Sequence, residues 1–114
     1  MWGSLLDKIQ QLLDAKNEGN PDIVREYLDD RWSAVREVAT FILADMGHRK
    51  DFDLLLAKIS DTDLDVQLAA IYGIENMADW RDISIFKKLL KEKKLPEVRK
   101  ALTTVIDNLD KTKS

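Results

Sequence analysis

Three carboxylates stand at alternate positions in Asp61-Thr62-Asp63-Leu64-Asp65, the spacing with which an EF-hand loop begins to wrap calcium. Such a loop also needs glycine at its sixth position, for the turn, and a bidentate glutamate at its twelfth. The chain has Val66 and Tyr72 there. The start of a helix accounts for the same acids, because side-chain oxygens accept from the free N–H groups of a first turn and negative charge suits that end of the dipole. The acids are therefore expected to cap a helix, and no metal is expected.

Nucleophilic catalysis has no better footing. There is no cysteine, and the one histidine, His48, follows Gly47, where a helix should stop. A Cys–His pair is thus excluded and a Ser–His–Asp constellation has no support. Carboxylate pairs such as Asp51 and Asp53 read as solvated. A non-enzymatic protein is expected, with no cofactor and no small-molecule substrate.

The run Phe86-Lys87-Lys88-Leu89-Leu90-Lys91-Glu92-Lys93-Lys94 clusters the cations that phosphate binding requires. Phe86, Leu89 and Leu90 share one helical face, which leaves the lysines on the opposite, solvated one. Charge is also divided along the chain: residues 1–79 hold eight Lys/Arg against sixteen Asp/Glu, residues 80–114 ten against five. A basic partner suits the first part, and nucleic-acid binding through the second is the alternative reading.

The elements that must carry these residues are helical. Apolar residues recur at helical spacing over most of the 114 residues, with only four glycines and two prolines to interrupt them. A chain of this size fits one domain that buries roughly two thirds of its unfolded surface. Its start lacks a basic region before the first apolar residues, no apolar run approaches the roughly 20 residues of a membrane span, and cysteine is absent, so a cytoplasmic protein is expected. Trp2, Leu5, Leu6, Ile9, Leu12 and Leu13 mark a first helix over about residues 2–16. Asn20-Pro21-Asp22 then offers a cap, a first-turn proline and an acid for the next.

From there the chain repeats. Val35, Val66 and Val98 lie 31 and 32 residues apart, and aligning them superimposes Ala39, Ala70 and Leu102, then Leu43, Ile74 and Ile106, then Met46, Met77 and Leu109. Upstream, Ile23, Val24 and Leu28 match Leu54, Leu55 and Ile59, and also Ile85, Phe86 and Leu90 once one residue is added to the third turn. Each copy is a helix pair, A then B, that cannot bury its stripe alone. Trp32 and Trp80 fall at inter-helix turns, where large rings can cover the ends of a short stack.

The turns before the B helices, Asp30-Arg31-Trp32-Ser33-Ala34-Val35-Arg36 and Asp61-Thr62-Asp63-Leu64-Asp65-Val66-Gln67, resemble the HEAT-like repeat, in particular the short form of phycobilin-lyase-type proteins with its pattern D-x-D-x-x-V-R-x-x-A. The resemblance covers about residues 21–110. It implies an all-α, right-handed α-α superhelix (solenoid) of about seven helices: a capping helix at 2–16, helix pairs at 21–47, 51–79 and 80–110, and a tail at 111–114. In that family the turn acid and the arginine after the valine interlock neighbours, which here implies roles for Asp30, Arg36, Asp61 and Arg99. Gln67 and Lys93 depart from the pattern, so any such ladder is incomplete. The family includes adaptors and immunity proteins that cap a toxin; a bilin-lyase-like activity is also implied by the likeness, yet no nucleophile or tetrapyrrole cage is identifiable.

The B helices leave one face unexplained. About 100° per residue puts Glu37, Thr40, Phe41 and Ala44 outward on the first, Leu68, Ile71, Tyr72 and Glu75 on the second, and Lys100, Thr103, Thr104 and Asp107 on the third. Three apolar residues of four on the second are anomalous for a face in water. Either neighbouring helices cover them, or Glu37, Phe41, Leu68, Ile71, Tyr72 and Glu75 form a partner-binding surface for another protein, one with a basic surface.

Overall fold

The computed structural model describes residues 4–113. Those residues form seven α-helices: α1 (Leu5–Glu18), α2 (Asp22–Tyr27), α3 (Ser33–Met46), α4 (Phe52–Lys58), α5 (Leu64–Ile74), α6 (Ile83–Glu92) and α7 (Pro96–Asp110), with 3-10 turns at Arg49–Asp51 and Trp80–Asp82. Trp2 lies outside the described residues.

Local chemistry sets the helix ends. Ser4 Oγ accepts from the N–H of Asp7 at 3.1 Å to start α1, and Asn20 Oδ1 accepts from the N–H of Asp22 at 3.1 Å before α2. Gly19 and Gly47 close α1 and α3 with φ of 68° and 70°, a conformation that costs other residues a Cβ clash. Helix α1 therefore runs on to Glu18, two residues past the expected end, until a glycine can turn it. At α5 one acid of the run caps: Asp63 Oδ1 accepts from the N–H of Val66 at 3.1 Å, while Asp61 Oδ1 accepts from the N–H of Asp63 at 2.9 Å.

Helices α2/α3, α4/α5 and α6/α7 form antiparallel pairs stacked into a flattened solenoid of 47 × 29 × 16 Å. The B layer is continuous, since α3 packs on α5 and α5 on α7, while α1 fills the place before α3. Successive A helices are held mainly by isolated links, among them the edge-to-face rings of Phe52 and Phe86, 6.4 Å apart. Tight contact in one layer and splay in the other curves the stack with the B helices inside. The aligned positions Val35, Ala39 and Leu43, Val66, Ala70 and Ile74, and Val98 and Leu102 are all buried. Burying each of the valine, leucine and isoleucine side chains among them contributes about 1.5–3 kcal/mol.

Some expected core positions are not core. Leu54 and Ile85 stand at the margins of the A layer, and on α1 only Leu12 and Ala15 are fully seated while Leu6 is 79% exposed. The cause is geometric: an end helix and a splayed layer each have a neighbour on one side only.

Charged links lock the repeats in register. Arg36 donates Nε and Nη2 to the two carboxylate oxygens of Asp61, at 3.0 and 3.1 Å, and Nη1 to the backbone carbonyl of Asp30 at 2.8 Å. Lys8 makes the corresponding link from α1 to Asp30 at 2.7 Å. The ladder stops at the third pair: Gln67 donates to the Asp61 carbonyl, Lys93 Nζ to Ser60, and Arg99 only to carbonyls of its own pair, those of Leu90 and Lys93. A second ladder joins the A-helix starts, Arg25 to Asp51 and Arg49 to Asp82, both with two hydrogen bonds onto a buried carboxylate. It was not anticipated, although Asn20, Asp51 and Asp82 recur at 31-residue spacing and mark it.

Trp32 lies between cations, 4.9 Å from Lys8 and 4.8 Å from Arg31 to the ring centroid. Trp80 sits at the other end, 42% exposed, with its backbone N–H donating to Thr112 Oγ1 and Lys113 over its ring. His48, exposed, precedes the 3-10 turn after α3.

Candidate functional site

On α3, Glu37 and Phe41 are one turn apart; on α5, Asp65, Leu68 and Tyr72 are three and four apart. Each set therefore shares one face of its helix, and the two faces meet along a cleft on the inner side of the solenoid. The cleft encloses about 370 Å³ and is lined by Glu37, Phe41, Asp65, Leu68, Ala69, Tyr72, Gly73 and Asn76. Phe41 and Tyr72 are 57% and 48% exposed, a large apolar surface to leave in water.

Gly73 shapes the floor. A Cβ built there would stand 2.5 Å from the Cβ of Ala44, so α5 approaches α3 as closely as it does only because the side chain is missing. The aligned residue of α3 is Ile42 and of α7 Val105, both buried. Asn76 Nδ2 reaches across to the Ala44 carbonyl at 3.3 Å and fixes the end of the cleft.

The outward face expected for the B helices is narrower than its pattern implied. Ile71 is fully buried, not part of a contact surface, because α5 is flanked in its own layer by α3 and α7, and their closeness covers the side of the helix that Ile71 occupies. Thr40 and Ala44 of α3 are buried for the same reason, Thr40 with its hydroxyl donating to the Arg36 carbonyl at 2.7 Å. Glu75 is half-buried and turned to α7, where its carboxylate accepts from Asn108 at 3.1 Å. Glu37, Phe41, Leu68 and Tyr72 remain together. Asp65, Gly73 and Asn76 join them unanticipated; a glycine inside an otherwise apolar helix was the available signal of close approach.

The cleft is acidic without an internal counter-charge. Among the described residues neither Glu37 nor Asp65 has a hydrogen-bond or ion-pair partner for its side chain. Partial burial pushes the Glu37 carboxyl up, and the nearby charges of Asp65 and Asp63 push it further. Asp61, by contrast, is committed: burial alone would raise its carboxyl, but Arg36, the N–H of Asp63 and Lys58 together hold it below the usual range.

Two other hollows offer less. One, of about 520 Å³, is lined by Arg49, Met77, Asp79, Arg81 and Asp82, whose charges already pair with one another. The other lies beside Leu5, Arg31 and Trp32 at the first end of the stack. Among the described residues no helix is long and apolar enough to cross a membrane.

Residues 21–107 match the family model for HEAT repeats. No curated protein and no solved structure matched the chain.

Proposed function

Because the chain belongs to the HEAT-repeat family, whose members are commonly protein-interaction scaffolds, we propose that it is a non-enzymatic protein-binding module that takes its partner on the inner face, at the α3–α5 cleft. The observation that carries this reading is the pair of half-exposed rings, Phe41 and Tyr72, on a floor that Gly73 fixes rigidly. Aromatic side chains in a pre-formed hollow are the usual anchors of a protein interface. The acids around them favour a partner with a basic surface, and the role that fits is an adaptor, or an inhibitor or immunity protein that caps a basic toxin or enzyme, in the cytoplasm.

Nucleic acid fits the cleft poorly, since Glu37 and Asp65 would repel phosphate. Lys87, Lys88 and Lys91 of α6, and Lys94 in the turn after it, are exposed on the side of the A layer, away from the cleft.

The test compares the wild-type chain with a Phe41→Ala, Tyr72→Ala double variant in affinity capture followed by direct binding to the protein retained. Loss of either ring should weaken binding by about 2 kcal/mol while unfolding is nearly unchanged. A partner held equally by both proteins would remove the cleft from the reading.

A further inference from the structure

The proposed contact surface has a chemistry that narrows what enters it. A volume of about 370 Å³ lies at the small end of ligand pockets, roughly 300–1,000 Å³, so the cleft suits one long side chain and its neighbours better than a cofactor. Its walls are of two kinds. Phe41, Leu68 and Tyr72 are apolar or aromatic; Glu37 and Asp65, a turn earlier on their helices, are carboxylates that no side chain among the described residues neutralises.

Asp65 lies in the first turn of α5, an end of the helix whose free N–H groups suit a negative charge. Asp63, nearby, is already used to cap Val66. Two exposed acids without a counter-charge, close enough to repel one another beside exposed rings, are relieved by a cation that brings apolar surface with it.

We infer that the cleft takes a single arginine side chain of the partner protein, its guanidinium between Glu37 and Asp65 and its stem along Phe41, Leu68 and Tyr72. Arginine fits better than lysine for three reasons: its planar head stacks on aromatic faces, its five N–H donors serve two carboxylates on different helices, and it sheds water more readily than an ammonium. This inference rests on the protein-binding reading of the same cleft.

The experiment titrates the ¹⁵N-labelled full chain with a capped pentapeptide of arginine flanked on each side by leucine and glycine. The same peptide is then made with citrulline, lysine or norleucine in place of arginine. Amide shifts should concentrate at Glu37, Phe41, Asp65, Leu68 and Tyr72. Citrulline, which keeps the shape and removes the charge, should weaken binding roughly tenfold or more, and so should Glu37→Gln or Asp65→Asn in the protein. Asp53→Asn, an exposed acid on α4, should leave binding unchanged.

Equal binding of the citrulline, norleucine or lysine peptide would overturn the inference, as would shifts spread over the acidic surface or none at millimolar peptide. Norleucine binding as tightly as arginine would leave the cleft as an apolar docking site and the proposed function standing. Capture of one partner equally by wild type and the double ring variant would sink the proposed function, whatever the peptides do.

Discussion

Arg36 and Asp61 meet through two parallel hydrogen bonds, 3.0 and 3.1 Å long, that tie the B helix of the first pair to the turn of the second, with 14% and 6% of their side chains left exposed. Removing one partner of a pair this buried strands the other charge and costs roughly 3 kcal/mol or more. Asp61→Ala should therefore lower unfolding free energy by about that amount in urea titration. Lys16→Ala should change it by less than about 0.5 kcal/mol, because its link to Asp45 is 3.6 Å long and both side chains are about half exposed.

Acid should act in two opposing steps. Asp30, Asp61 and Asp82 are held below the usual carboxylate range: at Asp30 and Asp61 the hydrogen bonds and ion pairs outweigh burial, and at Asp82 the Arg49 guanidinium leads. A carboxyl with a lowered folded value stabilises the fold fully above its unfolded value, about 3.9, and loses that contribution as pH falls through the folded one. Glu37 runs the other way, since its folded value is raised and its strain is relieved as it protonates. Stability should thus hold level or rise slightly as pH falls from neutrality toward the carboxylate range, then fall steeply below about 4. Glu37→Gln should remove the first feature and Asp61→Asn part of the second, both readable from urea midpoints across pH.

Gly73 invites a test in which two effects compete. Alanine is the better helix former by about 1 kcal/mol, but its Cβ would stand 2.5 Å from that of Ala44, and overpacking costs typically 1–3 kcal/mol. The backbone of two packed helices cannot move aside cheaply, so Gly73→Ala should be net destabilising by about 1 kcal/mol. It should also disturb the amide signals of Phe41 and Tyr72. Unchanged stability with unchanged spectra would show that the helices have more room than their contact implies.

The boundary between core and cleft on α5 is equally open to measurement. Ile71→Ala removes a fully buried side chain and should cost about 2–5 kcal/mol, like Leu43→Ala, whereas Tyr72→Ala should cost less than about 1. Leu68, half-buried at the edge of the cleft, should fall between them. Equal losses at Ile71 and Tyr72 would make the whole face core.

That Ile71 and Tyr72 divide this way was beyond the reach of periodicity. The 31-residue recurrence of Val35 and Val66, with Leu43 and Ile74 eight residues on, exposes the A–B packing stripe and so the repeat architecture, because those positions are buried by a partner in the same pair. Burial of Ile71 depends on the neighbouring pairs, in part through the α3–α5 separation that Gly73 and Ala44 set and that one helix's pattern does not contain. The acids of the cleft were visible as residues, yet whether each is used is a matter of partners. Asp61 and Asp63 are engaged by Arg36 and the first turn of α5, and Asp65, from the same run, is left over.

The gap in the ladder can be closed by substitution. Gln67 and Lys93 stand where Arg36 and Asp61 stand one repeat earlier, each one residue after or five before its repeat's valine. Gln67→Arg alone would aim a guanidinium at an ammonium, and a small loss of a few tenths of a kcal/mol is expected. Lys93→Asp alone gives up the hydrogen bond to Ser60 and leaves Gln67 as its partner, a change that should be close to neutral. Together they recreate the two-oxygen, two-nitrogen geometry that Arg36 and Asp61 show between half-buried neighbours. The double variant should then exceed the sum of the singles by about 1 kcal/mol in a double-mutant cycle. Strict additivity would mean that the third pair is set at a different angle from the second, and that the two departures from the pattern are independent rather than matched.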